Sequence, residues 1–417
     1  MPETSEKKKF LTKPLLLIFV TVMIDLIGFG IVIPVLPYYI QSPEFGATPL
    51  LLGILVASYS VMQFVFSPIL GGLSDKYGRR PVLFFSLLGT SLGFLIVGVA
   101  GSLWMIFAGR ILDGITGGNI STAQAYIADV TTRKDRARGM GLIGAAFGLG
   151  FVLGPALGGI LSRWGTHVPF LFAAALALAN ATGVFFYLPE SLPKEKRVVH
   201  PHSGNRFVQI FDSLRDARFR TLAILYFLVV TAFSIMTTSF ALYTQERFGY
   251  DAWQNGWLFA YIGIIAVLMQ GGIFGRLAHA VGEAALLVAG SLILAASLFM
   301  VPYVGPQWGG LAGLLAGMAF FAIGNSLATP AASSLASKVA GEHEQGKALG
   351  IMQSGASLAR AVGPFIAGFL LNTATGTVSD HSLAVTFWTA AAIMFAAFIG
   401  ALFFARNAPQ PESAVVA

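Results

Sequence analysis

Long apolar runs joined by short polar loops make up most of this chain. A run of about 18 apolar residues or more is long enough for a helix to cross a membrane. Twelve such spans are predicted: Pro14–Tyr39, Thr48–Leu73, Pro81–Ala100, Leu103–Ala128, Ala137–Leu161, Val168–Leu188, Phe219–Tyr243, Trp253–Leu277, Ala284–Val301, Trp308–Ser337, Ala348–Leu371 and Leu383–Ala405. One polar gap is long. Residues 189–217 are rich in Lys, Arg, His and Pro and divide the spans six and six, with Arg206–Leu214 reading as a short surface helix. The predicted fold class is an all-α membrane protein, with an N-terminal six-helix half (1–188), a cytosolic linker (189–217) and a C-terminal six-helix half (218–417). The first run follows a basic N-terminus and exceeds a signal-peptide core, so it reads as an uncleaved span.

The two halves repeat. The loop Gly71–Arg80, GGLSDKYGRR, returns as Gly275–Ala284, GRLAHAVGEA, with Gly71, Leu73 and Gly78 matched by Gly275, Leu277 and Gly282. Asp75 has become His279 and Arg79 has become Glu283, so the second copy is not expected to latch as the first does. Gly118-Asn119 in span four matches Gly324-Asn325 in span ten, and Gly154-Pro155 in span five matches Gly363-Pro364 in span eleven. Matches that keep their order across both halves are the residue of an old duplication. Two six-helix repeats related about the membrane normal, with a midplane site between them, is a transporter layout.

Composition and charge agree. Charged residues are 11% of the chain against roughly 25% in soluble domains, hydrophobic residues are 56%, and the mean hydropathy is +0.75. The net charge of +7 does not point to nucleic acid, because the basic residues sit in short loops and form no continuous patch. With the N-terminus inside, cytosolic segments hold 22 Lys and Arg, and the outer loops hold only Arg163 and Arg247. That asymmetry places both termini in the cytosol. There is no Cys, hence no disulfide, thiol chemistry or cysteine metal site.

The remaining ionisable residues inside the spans carry the chemistry. Asp25, Arg110, Asp113 and Arg360 lie within apolar runs, where a charge costs roughly 2.5–3.5 kcal/mol even on lenient insertion scales. Asp25 falls near the middle of span one and is the leading proton carrier, because burial opposes the charged carboxylate while a nearby arginine favours it. It also reads as a structural partner of Arg110. Arg110 and Asp113 are three apart on one helix face, either a coupled proton site or a self-neutralising pair. Arg360 in span eleven has no intramembrane acid in its own half; it reaches a carboxylate of the other half or contacts an anionic group on a substrate. Tyr59, Gln63, Asn119, Gln124, Tyr261, Asn325 and Gln353 complete the expected substrate cavity, the amides first, since they need the most partners.

Four motifs in register give the chain a family resemblance. The hinge Gly71-x-Leu73-x-Asp75-Lys76-x-Gly78-Arg79-Arg80, the first span DLIGFGIVIPVLP from Asp25, span four from Arg110 through GITGG to YIAD at Asp129, and Gly148-x-Gly150-x-x-x-Gly154-Pro155-x-x-Gly159 together resemble the major facilitator superfamily. Within it, the chain resembles the tetracycline-efflux-type drug:proton antiporters. The resemblance implies that Arg110 organises the proton site. It implies that Gly71, Asp75, Gly78, Arg79, Arg80 and Asp129 form a cytosolic gate, with Asp75 accepting hydrogen bonds at the N-terminus of span eleven. It also implies that Gly150, Gly154, Pro155 and Gly159 are the motif separating antiporters from importers, expected to make a tight, pliable contact between spans two and five. The chain departs from the tetracycline pumps in lacking acids in spans three and nine and a membrane-depth histidine in span eight.

The expected function is proton-coupled export of small amphipathic molecules or drugs by alternating access from the plasma membrane. Import or facilitated diffusion of a sugar or other metabolite is the alternative, and a non-transporting receptor a more distant one. No enzymatic activity is expected, as the sequence has no GxSxG, HExxH, CxxC or P-loop motif. No metal and no cofactor are expected, protons being the coupling ion. The expected partners are a small-molecule substrate and the lipid bilayer, with the chain acting as a monomer and binding no nucleic acid.

Overall fold

A computed structural model describes residues 12–131, 136–197, 214–340, 345–372 and 378–407. The Arg206–Leu214 surface helix expected from sequence lies, apart from Leu214, outside the described residues. Ten of the predicted spans are single helices: α1 (Lys13–Ile40), α2 (Pro49–Tyr77), α3 (Arg79–Gly98), α6 (Arg136–Ser162), α7 (Val168–Tyr187), α8 (Ala217–Phe248), α11 (Glu283–Met300), α12 (Gly310–Val339), α13 (Gln345–Leu371) and α14 (Asp380–Arg406). The other two are interrupted. Span four divides into α4 (Leu103–Thr116) and α5 (Asn119–Val130), and span eight into α9 (Ala252–Leu268), a π-helical turn at Met269–Ile273, and α10 (Phe274–Val281). Among the described residues, eleven helices are each long and apolar enough to cross a membrane, counting span eight (Ala252–Val281) as one; span four reaches that length only as two pieces.

Large apolar side chains such as Phe85, Phe186 and Phe369 are exposed on the helix surfaces. Such helices suit a hydrocarbon solvent, in which the backbone must satisfy its own hydrogen bonds. Trp104, Trp164 and Trp308 are exposed at helix ends, where an indole sits well between lipid tails and water.

The chain forms two compact units, one of residues 1–36 and 62–200, the other of 37–61 and 201–417. The first is built around a buried cluster that includes Ile18 and Val22 of α1, Leu87 of α3, Tyr126 of α5, Ala146 of α6 and Val184 of α7. In the second, α8 packs on α13 through Val230, Ala356 and Ala359, with Tyr226 and Phe227 against them.

The repeat seen in sequence has a backbone basis. Gly78 and Gly282 both take positive φ, 104° and 80°, at the turn entering the third span of each half. A side chain would strain that turn, so glycine persists while its charged neighbours change. The glycine–proline pairs are also equivalent. A Cβ on Gly154 would stand 2.7 Å from the Cα of Gly30 and the carbonyl of Ile27 on α1, and one on Gly363 would stand 2.8 Å from the carbonyl of Thr231 on α8. The fifth span of each half thus packs backbone to backbone on the first. The glycines of span five therefore meet span one, whereas the sequence pointed to span two; periodicity shows which face is small but not which helix fills it.

Candidate functional site

Span four breaks because Gly117 and Gly118 follow one another, both near φ −75° and ψ 14°, outside helical geometry. Glycine is a poorer helix former than any residue except proline. The amide of Gln63 on α2 donates to the freed carbonyl of Gly117 at 3.0 Å. Gly118 lets α2 approach closely: a Cβ there would stand 2.7 Å from Leu70. A new helix then begins at Asn119, in the buried interior.

The intramembrane charges of the first unit gather at this break. Asp25, partly exposed on α1, faces the Asn119 side chain and lies within electrostatic range of Asp113. A carboxylate beside the first residue of α5 meets the positive end of that helix. Asn119 is buried, and neither of its amide atoms has a hydrogen bond of regular geometry among the described residues. Arg110 donates to Asp113 at 2.6 Å within α4, and both side chains are almost wholly buried. Thr90 of α3 faces the same carboxyl. Gly93 of α3 admits it, since a Cβ at Gly93 would stand 2.9 Å from Cβ of Asp113. A carboxylate on α1 thus stands close to an internally neutralised ion pair on α4, with a helix N-terminus between the two.

The expected cavity residues divide between the units. Gln63, Asn119 and Gln124 belong to the first; Tyr59, Tyr261, Asn325, Gln353 and Arg360 belong to the second. Tyr59 is buried, and Gln124, Tyr261 and Gln353 are half-buried. Asn325 accepts from Thr329 of its own helix at 3.0 Å. In the second unit Arg360 donates to Ser357 at 3.1 Å.

The hinge forms a compact charge cluster. Arg79 is paired with Asp75 at 2.6 Å and with Asp129 at 3.1 Å, and donates to Ser74 at 2.7 Å. These three acceptors let a guanidinium be buried at a helix start. Glu190, just past α7, accepts from the backbone N–H of Arg79 and Arg80, capping α3. Ser191 donates to Asp129, and Arg80 donates to the carbonyl of Phe185 and lies over its ring. Gly78, at φ 104°, gives the turn its shape, whereas Gly71 lies within α2. Glu190 and Ser191 escape sequence reasoning because they sit 110 residues from the hinge; the only signal was an acid at the very end of span six.

The second hinge copy holds a similar contact with reversed charge. Glu283 begins α11 as Arg79 begins α3, and accepts from Lys338 at the end of α12 at 2.6 Å and from Ser334 at 2.9 Å. Asp129 occupies the corresponding end of span four. His279 is exposed. The sequence comparison saw a lost arginine; the structure shows an ion pair whose two signs have been exchanged.

In the fifth span, Gly150, Gly154, Pro155 and Gly159 are all buried, the first three against α1 near Leu26 and Gly30. Among the described residues, no group of three or more His, Cys, Asp or Glu is arranged to hold a metal ion.

The family model described as Major Facilitator Superfamily matches residues 18–323 and 271–416. The tetracycline resistance protein, class H, of Pasteurella multocida is 30% identical over 97% of this chain and 99% of its own length. Multidrug resistance protein 2 of Bacillus subtilis is 30% identical over 84% of this chain and 87% of its own. The crystal structure of the human organic anion transporter MFSD10 (TETRAN) is similar with a TM-score of 0.70 and 27% identity, covering 93% of this chain and 99% of that one.

Proposed function

The chain belongs to the major facilitator superfamily and is a multi-pass membrane transporter, and we propose that it exports small amphipathic molecules in exchange for protons. The observation that carries this reading is the gathering of Asp25, Asn119 and the Arg110–Asp113 pair at the break in span four. A carboxylate on one helix, next to a polar gap in another, binds and releases a proton with little rearrangement of the scaffold. Relatives named for tetracycline and multidrug resistance support export as the direction. The human relative named for organic anions extends the cargo range to acids. Tetracycline itself is not proposed as the substrate, because the further acids and the membrane histidine of those pumps are missing here.

In this reading Asp25 is the proton carrier. Arg110 and Asp113 set the field around it, and protonation of Asp25 is linked to release of cargo. The sequence carries no P-loop motif, and in this reading the proton gradient supplies the energy. The Arg79–Asp75–Asp129 cluster is a gate element that two conformations make and break. The proposed location is the plasma membrane with both termini in the cytosol, on the asymmetry of basic residues. The test is D25N in everted vesicles: pH-gradient-driven uptake of amphipathic dyes falls to background, while dye exchange without a gradient persists. Undiminished gradient-driven uptake in D25N removes Asp25 from the mechanism.

A further inference from the structure

Arg110 carries its own counter-ion three residues away; Arg360 does not. Arg360 stands at the middle of the 27-residue α13, and no carboxylate of its unit pairs with it among the described residues. Its side-chain hydrogen bond is to Ser357, and the titratable side chains within electrostatic range of the guanidinium are the hydroxyls of Tyr226 and Tyr59. Ser333 of α12 lies against the Tyr226 hydroxyl. This cluster is rich in donors and poor in negative charge. An arginine at membrane depth without a counter-charge is costly, and such residues mark binding sites for the missing charge.

The surrounding helices are seated to hold the cluster in place. Ala356 and Ala359 let α8 pack closely on α13, which sets Tyr226 beside Arg360. On the other side, a Cβ on Gly53 of α2 would stand 3.0 Å from the Cα of Gly368, so α2 and α13 touch by their backbones, with Tyr59 of α2 in electrostatic range of the guanidinium. Tyr226 and Phe233 are two turns apart on one face of α8, and Phe233 stacks on Phe321 at 5.7 Å. An aromatic pair therefore lies two turns along α8 from the tyrosine of this cluster.

We propose that Arg360, Ser357, Tyr226 and Tyr59 form a carboxylate-binding subsite for an organic acid with a flat apolar body. A guanidinium matches a carboxylate with two parallel hydrogen bonds, which a lysine cannot do. The mid-helix position excludes a lipid headgroup as the anion and leaves a free small molecule. The subsite rests on the transport reading above, whose cargo class it narrows to monovalent aromatic acids.

The test is binding of 2-naphthoate and its neutral amide, 2-naphthamide, to the full-length protein in nanodiscs, with wild type, R360Q, R360K and Y226F. Hydrogen bonds to charged groups are worth enough for the wild type to prefer the acid by about tenfold or more. R360Q binds both probes equally, R360K keeps only part of the preference, and Y226F reduces it by about threefold. If R360Q fails to fold, R360K and Y226F decide the matter. A wild type without preference, or R360 variants that retain it in full, overturns the subsite. Proton flux measured in proteoliposomes from the same preparations separates the two ideas. Acid preference without proton coupling leaves the subsite standing and removes the antiport reading. Coupling to uncharged cargo without acid preference does the reverse.

Discussion

Arg110 and Asp113 form the most buried ion pair among the described residues, with side-chain exposures of 3% and 6%. Removing one member leaves an uncompensated charge in the bundle, at a cost of about 3–5 kcal/mol. R110Q and D113N are each expected to lower the thermal midpoint of the purified protein strongly, and the double variant much less than their sum. A double-mutant cycle on thermal unfolding in detergent reads this directly. Additive losses would mean that the two groups act independently. At this scale the sequence was most informative about charges: Asp25, Arg110, Asp113 and Arg360 stood out because ions are rare in apolar runs. It was least informative about Glu190, Lys338 and Tyr226. Their roles come from contacts across tens to hundreds of residues, and nothing in their local sequence sets them apart from ordinary polar side chains.

Among the elements, helix packing through glycine makes the sharpest prediction. The Cβ of G154A would meet backbone atoms of α1 rather than a flexible side chain, so the helices must move apart. Overpacking of this kind costs about 1–3 kcal/mol, whereas G144A, where nothing lies within 4 Å, should leave the thermal midpoint unchanged. Equal midpoints for the two variants would contradict the backbone contact.

The hinges give a second element-scale prediction. D75N removes a negative charge from beside the buried Arg79, while H279A touches an exposed residue, so D75N should impair transport far more; equal losses would refute the asymmetry. Lys338 is exposed, so the Glu283–Lys338 pair is worth at most about 1 kcal/mol of stability. Its contribution is tested by transport instead: E283K lowers activity and the reversed double variant E283K/K338E restores it. The twelve apolar runs were legible because membrane length is a strong constraint. The breaks in spans four and eight were not resolved, although consecutive glycines at 117–118 and 271–272 mark both, since apolar windows average across a one-turn interruption.

For the molecule as a whole, the two units share a plan and differ in charge. The first holds a carboxylate, Asp25, beside a neutral pair, and the second holds an arginine, Arg360, that no carboxylate of its unit pairs among the described residues. Under the proposals above, the proton would be handled by helices of the first unit and an acidic cargo by helices of the second. The most direct test is proton movement in proteoliposomes under an imposed pH gradient, read by an internal pH dye while amphipathic acids, bases and neutral compounds are added in turn. The account predicts that at least one compound triggers proton flux opposite in direction to its own movement, and that D25N abolishes it. Proton flux in the same direction as the cargo, or cargo movement with no proton flux at all, would contradict it.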